Sequence, residues 1–398
     1  MTDTVPAMGR RALRRQRRRR RNRRIAVALA VAALLAVAFA IYLAVDAPPT
    51  PAAPQAGDGR TQQTLSFHVQ GRNGAGLANA LLAQDPRAGT AAAVLVPPQV
   101  LVSLPGSGSV PYGRAILGTS FAASRGALSD LLGVTVDGGW ILDLPTFAKL
   151  VDALGGVPVG VNAQVVQAGN VVLSPGQQQL NGVRAALYLG YLAPGELEQA
   201  RLARQKDVID GIVNVLPRTS GELTKILDGL GKRSQSSVPT TRLAQFLLAM
   251  ATDDEAGQLQ YDTLPVVNQD AGGGVVSFRA DEPAVRSLVD RLLRDSVPPG
   301  ARAGGNRFLV LNGVGTPGLG EAVRKKLVPA GFVFVSARNA PSFGVAATQV
   351  LVPDATPASE ALGERVAKAL GVPARSVHTQ SFGSVADVIV LVGADFRP

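Results

Sequence analysis

The chain has 398 residues, no cysteine and only two histidines, with 40 Lys and Arg against 29 Asp and Glu. Without cysteine there are no disulfides, no Cys-ligated zinc and no thiol chemistry, and two histidines far apart offer no metal site or Ser-His-Asp triad. The net charge of +11 is local: Met1–Arg24 holds eleven arginines and one acid, Asp3, which leaves 29 basic against 28 acidic residues elsewhere and argues against nucleic acid as a partner.

The arginines run from Arg10 to Arg24, and Ile25–Val45 follows without a charge, a glycine or a proline. As a helix that stretch spans about 30 Å, one bilayer core. Cationic flanks stay on the cytoplasmic side. The pattern predicts a basic cytoplasmic tail (1–24), one transmembrane helix (25–45) and everything downstream outside the cell, with anionic lipid facing the tail. A cleaved signal peptide is the competing reading. Its apolar region is usually shorter, and no clean Ala-x-Ala site follows Val45. The Pro- and Ala-rich stretch 46–63 reads as an extended spacer.

Alternation predicts a strand at Thr64–Val69, the apolar and β-branched run Ala91–Val96 reads as a buried strand, and Gln99–Leu104, after Pro97-Pro98, is also strand-like, with Gly74–Ala83 a short helix or strand. Ser120–Leu132 has helical periodicity and ends at Gly133. Trp140–Leu144 reads as a strand, Thr146–Leu154 as a helix opened by Pro145, and Val157–Val161 as a strand. Asn181-Gly182 reads as a turn, and Val183–Leu189 as an apolar helix or strand. Long helical patterns follow at Glu196–Leu216, Ser220–Leu230 and Thr240–Met250, then a strand at Gln258–Val267 and a helix at Glu282–Leu293. After a linker (296–306), the order from Arg307 is β-α-β-β-α-β, a small sandwich. The whole is a layered α/β (α+β) fold in two parts, 64–295 and 307–398.

Several segments resemble the LytR-CpsA-Psr (LCP) family: Leu142–Phe147, Leu150–Val159, Leu180-Asn181-Gly182, and the helix carrying Arg201, Arg204 and Gln205. Leu309–Gly313, the loop around Gly315 and Gly318, Ala330-Gly331-Phe332 and Gly393–Phe396 resemble the LytR C-terminal domain. The resemblance implies an α-β-α domain with a central mixed sheet. It also implies transfer of a glycopolymer from a polyprenyl-pyrophosphate lipid to peptidoglycan, with arginines holding phosphate, carboxylates holding Mg²⁺, and an apolar tunnel for the lipid.

By that resemblance Arg201, Arg204 and Gln205 are the phosphate-binding residues. Other family positions are changed. Gly190-Tyr191-Leu192 stands where the family has Arg-x-Arg, and Pro97-Pro98-Gln99 where it has Pro-Arg-Asp. No acid lies between Asp58 and Asp85, where a metal ligand belongs near Leu77 or Ala78. The expectation is therefore a member that binds or scaffolds in cell-wall glycopolymer assembly without transfer, and with neither metal nor cofactor. Polyprenyl-phosphate lipid, glycopolymer or peptidoglycan would be its partners. The alternative is an active Mg²⁺-dependent phosphotransferase whose charges have moved, drawing on Arg72, Arg114, Arg125 or Arg184.

Structural readings compete at each residue. Arg201, Arg204 and Gln205 also suit an ion-paired helix face with Glu198 and Asp207 as partners. Asp143 and Asp152 suit strand–helix geometry, Trp140 suits the core, and His68 and His378 are incidental. Gly313–Gly320 lacks the Gly-Lys-Ser/Thr ending of a phosphate loop and reads as a tight strand–helix connection.

Overall fold

The computed structural model describes residues 60–397 apart from 105–107, 118–120, 271–275, 298–304, 341 and 381–385. The predicted cytoplasmic tail, the transmembrane helix and nearly all of the spacer lie outside the described residues. Among the described residues no helix is long and apolar enough to cross a membrane.

Three strands begin the first domain: β1 (Gln63–Gln70), β2 (Gly76–Asp85) and β3 (Thr90–Leu95). The ambiguous stretch at Gly74–Ala83 is thus a strand. A hairpin, β4 (Leu101–Leu104) and β5 (Gly108–Pro111), leads to α1 (Phe121–Leu132) and then to β6 (Gly138–Asp143). Next come α2 (Leu144–Ala153), β7 (Val157–Val161), the hairpin β8 (Val165–Gln167) with β9 (Asn170–Leu173), and β10 (Gly176–Leu180). Helices α3 (Gly182–Gly190), α4 (Glu198–Asn214) and α5 (Ser220–Gly229), strand β11 (Ser234–Ser236) and helix α6 (Thr240–Glu255) follow. The expected strand at Gln258–Val267 is broken at Leu264-Pro265 into β12 (Leu259–Thr263) and β13 (Val266–Asp270). Strand β13 forms a hairpin with β14 (Val276–Ala280), and α7 (Glu282–Leu288) widens into a π-helical turn over Val289–Leu293.

The central sheet has six strands in the order β11-β6-β1-β2-β3-β12, with β1–β6 and β3–β12 parallel and the other pairs antiparallel. Both faces are covered, so both sides of each inner strand are apolar. Leu65, Phe67, Val69 and Leu82 point into a core shared with α2 to α6. Leu81, Val94 and Val96 point into a second core with α1 and α7.

Local chemistry sets the helix starts. Asp143 caps α2 by accepting from the Thr146 amide at 2.9 Å, with Pro145 in the first turn. The expected turn at Asn181-Gly182 is a helix start: the Asn181 side chain accepts from the Arg184 amide. Asp152 accepts the Gly182 amide at 2.7 Å, which ties α2 to α3. A Cβ on Gly182 would fall 2.0 Å from the Ala148 carbonyl oxygen, so only glycine permits this approach. Gly133, at φ +68°, ends α1 as expected of a C-cap.

The second domain holds its own core and a five-stranded sheet. It comprises β15 (Arg307–Asn312), α8 (Leu319–Leu327), β16 (Val333–Asn339), β17 (Gln349–Val352), α9 (Pro357–Leu370), β18 (Val377–Thr379) and β19 (Val388–Val392). The short strand β18, which carries the exposed His378, is an addition to the expected order. The Asn312 carboxamide accepts from the Val314 and Gly315 amides and donates to the Thr316 carbonyl, folding the glycine-rich connection on itself. Arg338 on β16 pairs with buried Asp130 on α1, and Arg286 on α7 pairs with Asp387, joining the two domains.

Candidate functional site

The positions singled out in the sequence come together around the start of α4. Gln205 is fully buried and donates its Nε2 to the Leu77 carbonyl of β2 at 3.1 Å. Gly190, at the end of α3, lies against the same Leu77: a Cβ there would sit 2.8 Å from Leu77 Cδ2. Gln99 gives its Nε2 to Glu198 Oε2 at 3.1 Å. The Gln99 backbone carbonyl receives the Phe278 amide, which fastens the β13–β14 hairpin beside it.

Both arginines are held by carboxylates of the same chain. Arg201 donates Nε and Nη2 to Glu198 Oε1 at 3.0 and 2.5 Å. Arg204 grips Glu196 in a bidentate pair at 2.6 and 2.8 Å and also donates to the Tyr191 carbonyl at 3.1 Å. Its guanidinium lies 5.1 Å from the Tyr191 ring centroid. The Arg204 pair holds Glu196 below the usual carboxylate range and raises Arg204. Asp207, the other expected partner, makes neither pair. It lies farther along α4, and burial pushes its carboxyl up.

The Arg201 and Glu198 side chains are 11% and 6% exposed, and those of Arg204 and Glu196 are 8% and 28%. A cleft of about 580 Å³ opens between the start of α4 and the β13–β14 hairpin, and Glu196 and Glu198 line it with Gln99 and Leu192. No Lys, Arg or His is among the described lining residues. The carboxylates line the cleft, and the guanidiniums they hold are not among its described lining residues. Of the other basic residues, Arg125 donates to the Asp137 carbonyl, and Arg72, Arg114 and Arg184 are exposed outside the cleft lining. Among the described residues no group of three or more His, Asp or Glu is arranged to hold a metal ion.

A second cavity lies between the sheet and helices α4 to α6, where the resemblance places a lipid tunnel. Its wall is wholly apolar and includes Phe67, Trp140, Ile209, Leu223 and Met250, and it measures about 40 Å³. Trp140 belongs to this core, with Nε1 bonded to Ser234 Oγ at 3.0 Å. His68 is fully buried on the opposite face of β1, its Nδ1 3.1 Å from Asn79 Oδ1.

Sequence reasoning did not place Glu196 or the β13–β14 hairpin in the site. Glu198 was legible, three residues before Arg201 on one helix. Glu196 lies outside the helix and reaches Arg204 only because the chain from 191 to 197 folds back.

An LCP-type layered domain followed by a small sheet domain is the class this architecture defines. The LytR_cpsA_psr family profile matches residues 113–294, and the profile described as LytR cell envelope-related transcriptional attenuator matches residues 307–396. The chain belongs to the LytR-CpsA-Psr family and carries a LytR C-terminal domain. Bacillus subtilis TagV is similar in fold, with a TM-score of 0.52 at 15% identity over 59% of this chain and 97% of that one. Protein gbs0355 of Streptococcus agalactiae gives 0.52 at 16% identity, covering 59% and 88%. An Enterococcus faecalis protein described as a transcriptional regulator gives 0.52 at 12%, covering 62% and 93%. No curated protein matches significantly.

Proposed function

We propose that this protein is a membrane-anchored, extracytoplasmic LCP-family member that serves cell-envelope glycopolymer assembly by binding or scaffolding, without phosphotransfer. The observation that carries the reading is the occupancy of its arginines. Arg201 and Arg204 are each ion-paired to a carboxylate, and it is the carboxylates that line the cleft. A pyrophosphate in the cleft would meet Glu196 and Glu198 and compete with them for these guanidiniums. On this reading Arg201, Arg204 and Gln205 brace the start of α4 where the family resemblance gives them phosphate.

Magnesium fits poorly as well. Leu77 stands where a carboxylate ligand is expected, and its carbonyl is taken by Gln205. The membrane anchor rests on the Arg10–Val45 pattern alone. A polyprenyl chain would lie in the wholly apolar cavity between the sheet and helices α4 to α6. Glycopolymer or peptidoglycan is the further partner of this reading.

The test is a transfer assay. The full-length protein in detergent is incubated with Mg²⁺, a polyprenyl-pyrophosphate-linked glycan and peptidoglycan. The expected result is no transfer above a protein-free control. Metal-dependent transfer would establish the alternative, an active phosphotransferase.

A further inference from the structure

We infer that the outer edge of strand β10 is a self-association surface, on which two copies of this chain pair antiparallel about a two-fold axis at Gln178. No residue of β10 is among the described lining of the cleft beside α4, so the pairing does not depend on what the cleft binds.

The first observation is charge. From Ala153 to Val183 the chain carries no Asp, Glu, Lys, Arg or His. Much of this stretch is at the surface: Gln164, Gln167, Asn170, Gln177 and Gln179 are all exposed. Val171 on β9 and Val183 at the start of α3 are 54% and 71% exposed. A surface of carboxamides and valines meets its own copy without like-charge repulsion.

The second observation is the strand edge. Strand β10 bonds β7 on one side, and among the described residues no strand pairs with its other side. The register with β7 runs from Gly176 opposite Val161 to Leu180 opposite Val157 without a bulge. Edge strands are ordinarily guarded by a charge, a proline or a bulge, which keep another chain from adding to them. Strands β12, β13 and β14 carry Asp262, Asp270 and Arg279, whereas β10 carries none of these guards. Its sequence, Gly176-Gln177-Gln178-Gln179-Leu180, names the occupant. Antiparallel pairing about Gln178 sets Gln177 opposite the partner's Gln179 and Gln178 opposite the partner's Gln178. A carboxamide both donates and accepts, so each glutamine is complementary to another glutamine. The edge is thus self-complementary, as a two-fold interface requires.

The third observation concerns order. Leu180 at the end of β10 is fully buried, as is Val157 opposite it on β7. Helix α4 backs β7 so closely that a Cβ on Gly211 would meet the Pro158 carbonyl oxygen at 2.5 Å. The edge is therefore held in strand form by its own domain, and pairing costs little ordering of the backbone.

The experiment measures the mass of the full-length protein in density-matched detergent by sedimentation equilibrium over a concentration series. We expect a monomer–dimer equilibrium in the wild type. Gln177→Lys with Gln179→Lys sets like charges opposite each other across the two strands and should weaken association about tenfold. Gln177→Glu with Gln179→Glu should do the same. An equimolar mixture of these two double variants should dimerise again, because each lysine then faces a glutamate. Gln177→Lys with Gln179→Glu should dimerise by itself, which reads the antiparallel register. Both positions are exposed, so circular dichroism should be unchanged throughout. The inference is overturned by a monomeric wild type, or by a dimer that the like-charged variants leave intact, the mark of association through another surface. It is also overturned if the mixture stays monomeric or if Gln177→Lys with Gln179→Glu fails to dimerise.

Discussion

Glu198 lines the cleft and holds Arg201: one of its oxygens takes Arg201 Nε and Nη2, and the other takes the Gln99 carboxamide at 3.1 Å. The two side chains are 6% and 11% exposed, so the pair is shielded from water. Removing one member of a buried pair leaves the other charged and desolvated. Glu198→Ala should therefore cost about 3 kcal/mol in folding stability. Glu196→Ala should cost less, because Glu196 is 28% exposed and Arg204 keeps the Tyr191 carbonyl. Urea unfolding followed by the fluorescence of Trp140, the sole tryptophan, measures both. Equal small losses would mean that Arg201 is hydrated in solution.

Gln205 tests whether this helix is a phosphate site or a brace. Its side chain is fully buried and satisfies the Leu77 carbonyl. Gln205→Leu keeps the approximate volume and strands that carbonyl, a loss of about 1–3 kcal/mol. Gln205→Glu should be worse, since it removes the donor and buries a carboxylate. Urea unfolding measures both, and unchanged stability in either variant would contradict the bracing role.

Strand β1 was legible in the sequence from its polar–apolar alternation, and β3 because its apolar run has the length of a strand. Helix α2 was legible from Pro145 and the spacing of Phe147, Leu150, Val151 and Leu154. The C-terminal order β-α-β-β-α-β lacked only the three residues of β18. Two misses share a cause, which is that tertiary contact decides what a local signal means. Asn181-Gly182 has turn chemistry, but Asp152 and the α2 backbone turn it into a helix start. Gln258–Val267 reads as one strand because nothing local says that Leu264-Pro265 passes from the edge of the central sheet to a separate hairpin. The candidate site was legible in membership and not in polarity. Leu77, Gln99, Gly190 and Gln205 do converge, yet the carboxylate that faces Arg204 depends on the folding of 191–197.

His68 makes the stability depend on pH. It is fully buried, and burial lowers its pKa from the ordinary 6.5 to about 4, against the opposing hydrogen bond to Asn79. The folded state keeps it neutral while the unfolded chain takes up a proton. Its contribution is complete above pH 6.5 and is lost as the pH falls from 6.5 through 4. Two and a half units correspond to roughly 3 kcal/mol. Unfolding free energies at pH 7, 5.5 and 4.5 should fall in the wild type, and the fall should be about 2 kcal/mol smaller in His68→Gln. Parallel profiles for the two proteins would place the acid sensitivity elsewhere.

The charge order of the cleft can be inverted at a single position. Leu192 is 38% exposed, lines the cleft and occupies one of the two positions where the family resemblance places an arginine. Leu192→Arg needs no buried volume, since its side chain already reaches solvent, and it puts a guanidinium on the cleft side of Glu196 and Glu198. That charge is not pre-empted as Arg201 and Arg204 are, although Glu196 competes for it. Combining Leu192→Arg with Glu196→Gln removes that competitor and leaves a glutamine to hold Arg204 by a neutral hydrogen bond. The double variant should bind pyrophosphate at least tenfold more tightly than wild type, about 1.4 kcal/mol, with an affinity that falls as salt rises. Calorimetric titration of pyrophosphate at two salt concentrations reads the change. If pyrophosphate gains nothing while the protein remains folded, the electrostatic polarity of the cleft does not set its ligand preference.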